Sequence, residues 1–176
     1  MRKILVIWII SVFLLTACGG HVRFSNDEGQ RKAIIAKHYK FKTVKITYNS
    51  KAKRKLRKYP GYKSHRLMKK LSGYLNKEGL ISANSAYTLE VHVTDIFLRS
   101  KVEAFLLPIS NPDKIKTIVM VKDSSGKTIE TFRVESSYAL GGATSLVLRV
   151  RTSYLFKNLS QLLSDVFTGK KREADF

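Results

Sequence analysis

The sequence predicts an α+β domain: a four-stranded antiparallel or mixed sheet with two helices packed on one face. Three observations carry that prediction. Several short runs alternate apolar and polar residues with the period of a strand, most clearly Tyr87, Leu89, Val91 and Val93 against Thr88, Glu90, His92 and Thr94. Two longer stretches repeat apolar residues at helical spacing: Leu67, Leu71, Tyr74 and Leu75, and later Leu148, Leu155, Leu159, Leu162 and Val166. The runs come in the order strand, helix, three strands, helix, and such a sheet buries one face under its helices.

The chain of 176 residues starts with two cations, Arg2 and Lys3, followed by an apolar run over residues 4–15. As a helix at 1.5 Å per residue, a dozen residues span roughly 18 Å, short of the ~30 Å hydrocarbon layer, so the run reads as a removable secretory leader. Leu15, Thr16, Ala17 and Cys18 follow, and this order resembles the lipobox of bacterial lipoproteins. The resemblance implies signal-peptidase recognition of Leu15, Thr16 and Ala17, a diacylglyceryl group and further acylation at Cys18, and cleavage before it. It also implies attachment to the outer membrane, since Gly19 stands where an inner-membrane sorting Asp would. Residues 1–17 are then the signal peptide, and the mature chain keeps 159 residues, enough for one domain. Cys18 is the only cysteine, so no disulfide, thiolate metal site or cysteine nucleophile is expected.

Residues 18–30 are small and polar and are expected to form a flexible tether, and residues 31–169 the single domain. A first strand is expected over residues 39–48, where Tyr39, Phe41, Val44, Ile46 and Tyr48 are spaced among lysines. Residues 51–58 (KAKRKLRK) look too cationic to pack, and Pro60-Gly61 marks a turn. A helix follows over residues 64–78, with Ser64 as N-cap and Gly79-Leu80 as a left-handed cap with its hydrophobic contact. The strand over 86–99 comes next. Residues 102–109 are apolar and contain Pro108, which suits an edge strand or a covering loop. Strands over 115–123 and 128–138 are joined by the hairpin Asp123-Ser124-Ser125-Gly126-Lys127. Gly141-Gly142 precedes a final helix over 144–167 that Gly169 ends, and residues 170–176 form a charged tail.

Charge is the strongest functional signal in the mature part. The formal net charge is +20, or +18 without the leader, and residues 31–70 hold sixteen Lys or Arg with no Asp or Glu. Such a surplus favours anionic surfaces and polymers. Lys51, Lys53, Arg54, Lys55, Arg57 and Lys58, beside Tyr59 and Tyr62, are the candidate anion-binding residues. Phe105, Leu106 and Leu107 are the candidate contact with a partner or lipid. Nucleic acid is not expected, because no base-reading motif accompanies the charge.

Catalysis finds little support. His21, His38, His65 and His92 lack metal-ligand spacing, no serine sits in a Gly-x-Ser-x-Gly elbow, and Asp95, Glu103, Asp113, Glu130 and Glu135 carry no hydrolytic motif. No cofactor or metal is expected. The order of elements is similar to that of small α+β domains of Gram-negative envelope lipoproteins. Related architectures are the lipoprotein partners of the lipopolysaccharide-assembly barrel, the activators of peptidoglycan synthases and the amino-terminal domain of the Tol propeller protein. What this resemblance implies is an adaptor: a non-catalytic binding or assembly module of the outer membrane facing the periplasm. Its expected partners are the membrane through the lipid anchor, an anionic envelope lipid or polymer, and an envelope protein. The alternatives are a surface-exposed binder of nucleic acid or host anions, and an envelope hydrolase.

Overall fold

The structure, a computed structural model, describes residues 20–24, 27–59, 62–106, 111–139 and 146–170. The expected leader, the Pro60-Gly61 and Gly141-Gly142 turns, Pro108 and residues 171–176 of the tail lie outside the described residues. One mixed sheet is built from β1 (Gly20–Phe24), β2 (Thr43–Tyr48), β3 (Thr88–Phe97), β4 (Asp113–Lys122) and β5 (Thr128–Tyr138) in the order β1-β5-β4-β3-β2. β2 runs parallel to β3, and the other neighbours are antiparallel. Among the described residues five helical segments accompany the sheet: α1 (Asp27–Ala36), α2 (Ser50–Leu56), α3 (Ser64–Lys77), α4 (Lys101–Leu106) and α5 (Leu148–Thr168). The α+β class holds, with one strand and three helical segments more than expected. Among the described residues no helix is long and apolar enough to cross a membrane.

Alternation dictates the layers. Along β4, Ile115, Thr117, Val119 and Val121 are buried while the residues between them reach the opposite, wetter face. α5 lies over β5, β4 and β1, and α3 packs against α5 and β2. The buried face of α5 carries Leu155, Phe156, Leu159, Leu163, Val166 and Phe167; Leu148 and Leu162 of the expected stripe are partly buried against the core beside them, and Tyr154 is exposed. Ser160 fits the interior because its hydroxyl donates to the Phe156 carbonyl at 2.8 Å.

Four stretches differ from their sequence-based expectation, the first being residues 27–30, expected within the tether, which form the start of α1. Residues 20–24, expected within a flexible tether, pair with β5 from Gly20↔Ser136 to Phe24↔Phe132 and cover what would be an open sheet edge. Residues 51–58, expected to be too cationic to pack, belong as far as Leu56 to the helix α2: Asn49 Oδ1 accepts from Ala52 N–H at 2.7 Å, Ala52 is buried, and lysine is a good helix former. Residues 101–106 form a helical turn rather than an edge strand, because Ser100 and Glu103 make a reciprocal cap. Ser100 N–H donates to Glu103 Oε2 at 2.8 Å and Glu103 N–H to Ser100 Oγ at 3.2 Å.

Helix ends follow local chemistry. The N-cap of α3 is Lys63, not Ser64, and makes no side-chain cap bond. Its C-terminus is as expected: Gly79 has φ +67°, and Leu80 N–H donates to the Leu75 carbonyl at 2.8 Å while its side chain is buried. Gly169 (φ +72°) ends α5.

Candidate functional site

The expected anion-binding residues 51–58 fall on α2 and just after it. There, Lys51 Nζ lies 3.1 Å from Asp95 Oδ2 and Lys55 Nζ 2.6 Å from Asp95 Oδ1. These two cations therefore tie α2 to the end of β3. Burial raises the pKa of Asp95, but hydrogen bonds from Lys55 and Lys51 outweigh it and hold the carboxyl below its ordinary range. Lys53, Arg54, Arg57 and Lys58 are exposed, with no ion pair to another described residue.

A concave cationic surface lies elsewhere. Between α3 and the start of α5 runs a groove of about 670 Å³ lined by His65, Arg66, Lys69, Lys70, Gly73, Tyr74, Lys77, Arg149, Ser153 and Phe156. Five of its lining residues are Lys or Arg and none is acidic. Its layout follows from helical periodicity. Leu67, Leu71 and Leu75 turn one face of α3 into the core, which places Arg66, Lys69, Lys70 and Lys77 on the adjoining face. Gly73 supplies depth, since a Cβ built there meets nothing within 4 Å. The floor is apolar and fixed. Phe156 is buried and packs edge-on against Tyr62 at 5.3 Å, and Tyr62 shares a 3.1 Å hydrogen bond with Tyr48. Burial pushes the pKa of both tyrosines up, so they stay neutral. Cationic walls over an apolar floor suit a phosphate or carboxylate carried on a sugar or lipid frame.

The charge of residues 31–70 pointed towards this region without locating it. The usable signal was Arg66, Lys69, Lys70 and Lys77 at three, four and seven residue steps beside a leucine stripe. Arg149 could not be joined to them from sequence, because their proximity comes from the packing of α5 on α3.

The other candidates are placed as follows. Phe105 is exposed on α4, where it lines a shallow apolar cleft with Lys101, Val102 and Leu146. Leu106 belongs to the same helix. Leu107, together with Leu15, Thr16, Ala17 and Cys18, lies outside the described residues. The five acids weighed for hydrolysis each have a structural partner. Lys51 and Lys55 hold Asp95, Lys37 holds Glu130, Lys116 holds Glu135, and Ser100 holds Glu103. Asp113 is buried, bonded by Arg151 Nη1 at 3.0 Å and by the Arg99 N–H at 2.8 Å. Among the described residues no three His, Cys, Asp or Glu gather as a metal site.

No family model matches the chain, and none of the curated proteins does. Solved structures do resemble it. The PelC dodecamer from Paraburkholderia phytofirmans aligns at 14% identity and a TM-score of 0.47, covering 88% of this chain and 100% of that one. A minor lipoprotein from Acinetobacter baumannii aligns at 17% identity and a TM-score of 0.41, covering 74% of this chain and 93% of that one. Similarity at this level assigns neither ligand nor partner to this chain.

Proposed function

We propose that the protein is a lipid-anchored, non-catalytic binding module of the bacterial outer membrane, facing the periplasm, whose α3–α5 groove holds an anionic envelope component. The observation that carries the reading is the groove itself, with Arg66, Lys69, Lys70, Lys77 and Arg149 around an apolar floor and no lining carboxylate. The anchor half rests on Leu15, Thr16, Ala17 and Cys18. The ligand it favours is a phosphorylated or carboxylated sugar, such as the phosphates of lipopolysaccharide, because several cations spread along a groove match several anionic groups spaced along a chain.

Binding of the mature protein to lipopolysaccharide tests the groove. Replacing Lys69, Lys70 and Arg149 together by Gln removes at least one charge-assisted contact of about 1.5–3 kcal/mol, so affinity should fall roughly ten-fold or more. Raising the salt concentration should weaken binding of the parent chain steeply and of the triple variant little. Lys127→Gln, on the exposed hairpin, serves as control. Equal affinity for the parent and triple variant would remove the groove from the account.

A further inference from the structure

The start of β1 fixes how far the sheet can lie from the expected lipid anchor, a relation that a flexible tether would not have given. Gly20 follows Cys18 by two residues, and an extended chain covers about 3.3–3.6 Å per residue, so Gly20 lies within about 7 Å of Cys18. Gly20 pairs with Ser136, which places it at the end of the sheet where β5 finishes. β4 begins at that end with Asp113 opposite Tyr138, and β3 finishes there with Phe97 opposite Lys114. α2 starts there too, after Asn49 N–H donates to the Val93 carbonyl, and α4 follows β3. So does α5, whose Arg151 reaches Asp113 and the Arg99 carbonyl.

This end is also where the surface is least like that of a solvated domain. The most exposed large apolar side chains among the described residues are Val102, Phe105, Leu146, Val147 and Tyr154, on α4 and the start of α5. Phe105 is 47% exposed and Val102 66%. Tyr154 stacks on Tyr138 at 5.0 Å, which ties the patch to the end of β5. Lys101 lines the cleft with these apolar residues, and at the same end of the sheet α2 and the residues just after it present Lys53, Arg54, Arg57 and Lys58. Of the acids here, Asp113 is buried in the core and Asp95 is paired with Lys51 and Lys55, while Glu103 is exposed on α4 and accepts from the Ser100 N–H.

From these placements we infer that this end of the domain is a membrane-docking face, on which α4 and the residues leading into α5 seat Val102, Phe105, Leu146 and Val147 in the headgroup layer of an anionic bilayer. The inference rests on the reading of Cys18 as the acylated residue. A link of about 7 Å keeps the end of the sheet where β1 starts close to the lipid. Apolar side chains ringed by Lys and Arg are what an anionic interface accepts, because the rings and aliphatic groups enter the acyl boundary while the cations meet phosphates. The sheet then stands on the bilayer and the hairpin at residues 123–127 points away.

The single tryptophan of the chain, Trp8, belongs to the expected leader, so one tryptophan introduced into the mature part reports its own position. Phe105→Trp and Ser124→Trp, each in the full mature lipoprotein, are reconstituted in vesicles containing anionic lipid brominated near the glycerol end of its acyl chains. An apolar face buried about 5–10 Å deep should bring the indole of the Phe105→Trp variant beside the bromines and quench its emission about two-fold, with the emission of the Ser124→Trp variant unaffected. Intact mass on the same samples reads the acylation of Cys18. Acylated Phe105→Trp protein without quenching overturns the docking face alone, and a blue-shifted but unquenched emission from it would assign the patch to a second copy of the chain instead. Quenching of the Ser124→Trp variant in place of the Phe105→Trp variant overturns the orientation. Protein without acyl mass overturns the anchor and the inference with it.

Discussion

Asp113 answers two guanidinium groups in a site where all three side chains are almost fully buried. Arg151 Nη1 approaches its carboxylate oxygens at 3.0 and 3.3 Å, and Arg99 donates through both its N–H and its Nε. Removing one member of a buried ionic cluster leaves the others without compensation, which typically costs about 3–5 kcal/mol. Asp113→Asn should therefore lower the unfolding free energy by that order, read as a shift in the urea midpoint. Acid sensitivity has a different origin. Hydrogen bonding from Lys122 holds Glu90 below its ordinary pKa, and against the opposing effect of burial Lys55 and Lys51 hold Asp95 low as well. Both carboxyls take up protons more readily in the unfolded chain, so their stabilisation is complete above the unfolded values and fades as pH falls through them to the folded ones. Urea midpoints should be level down to about pH 5 and decline below it, and Asp95→Asn should flatten part of that decline. Neither role could be read from sequence. Asp95 looks like any acid in a strand pattern and Asp113 like any acid just before one, and only the fold sets Lys51, Lys55, Arg99 and Arg151 around them.

Among the elements, α3 shows how far periodicity reaches. Its leucine stripe and its Gly79-Leu80 ending were legible because both are local: a stripe needs only spacing, and a left-handed cap needs only a glycine followed by an apolar residue. The cations on its adjoining face were visible as composition but gained a location only when α5 closed the other wall. Gly73 sits within the helix with open space around it, so Gly73→Ala should raise stability by about 0.5–1 kcal/mol in thermal or urea unfolding while leaving the groove open. Gly79→Ala should act in the opposite sense, costing about 1–2 kcal/mol, since alanine must then adopt φ +67°. Three of the four elements that sequence missed share a cause; the fourth, α1, is ten residues long and starts inside the stretch 18–30 expected as a tether. α2, α4 and β1 are five to seven residues long, too short for a period to show against charge, proline or glycine. Each is fixed by a partner: Asn49 for α2, the Ser100–Glu103 exchange for α4, and the edge of β5 for β1.

At the scale of the molecule, two features organise the account: a cationic groove along α3 and α5, and an apolar, cation-ringed end at which β1 begins. The fold class was legible because it follows from the order of strand and helix periods. The groove was not, because it is a product of packing. Two-dimensional amide NMR of the isotopically labelled mature protein, titrated with the diphosphorylated disaccharide headgroup of lipopolysaccharide, tests the central claim most directly. Saturable shifts along α3 from His65 to Lys77 and in the first turns of α5, with Gly73 among them, are the predicted result. Shifts confined to α2 or scattered over the wet face of the sheet, or none at all, would contradict it.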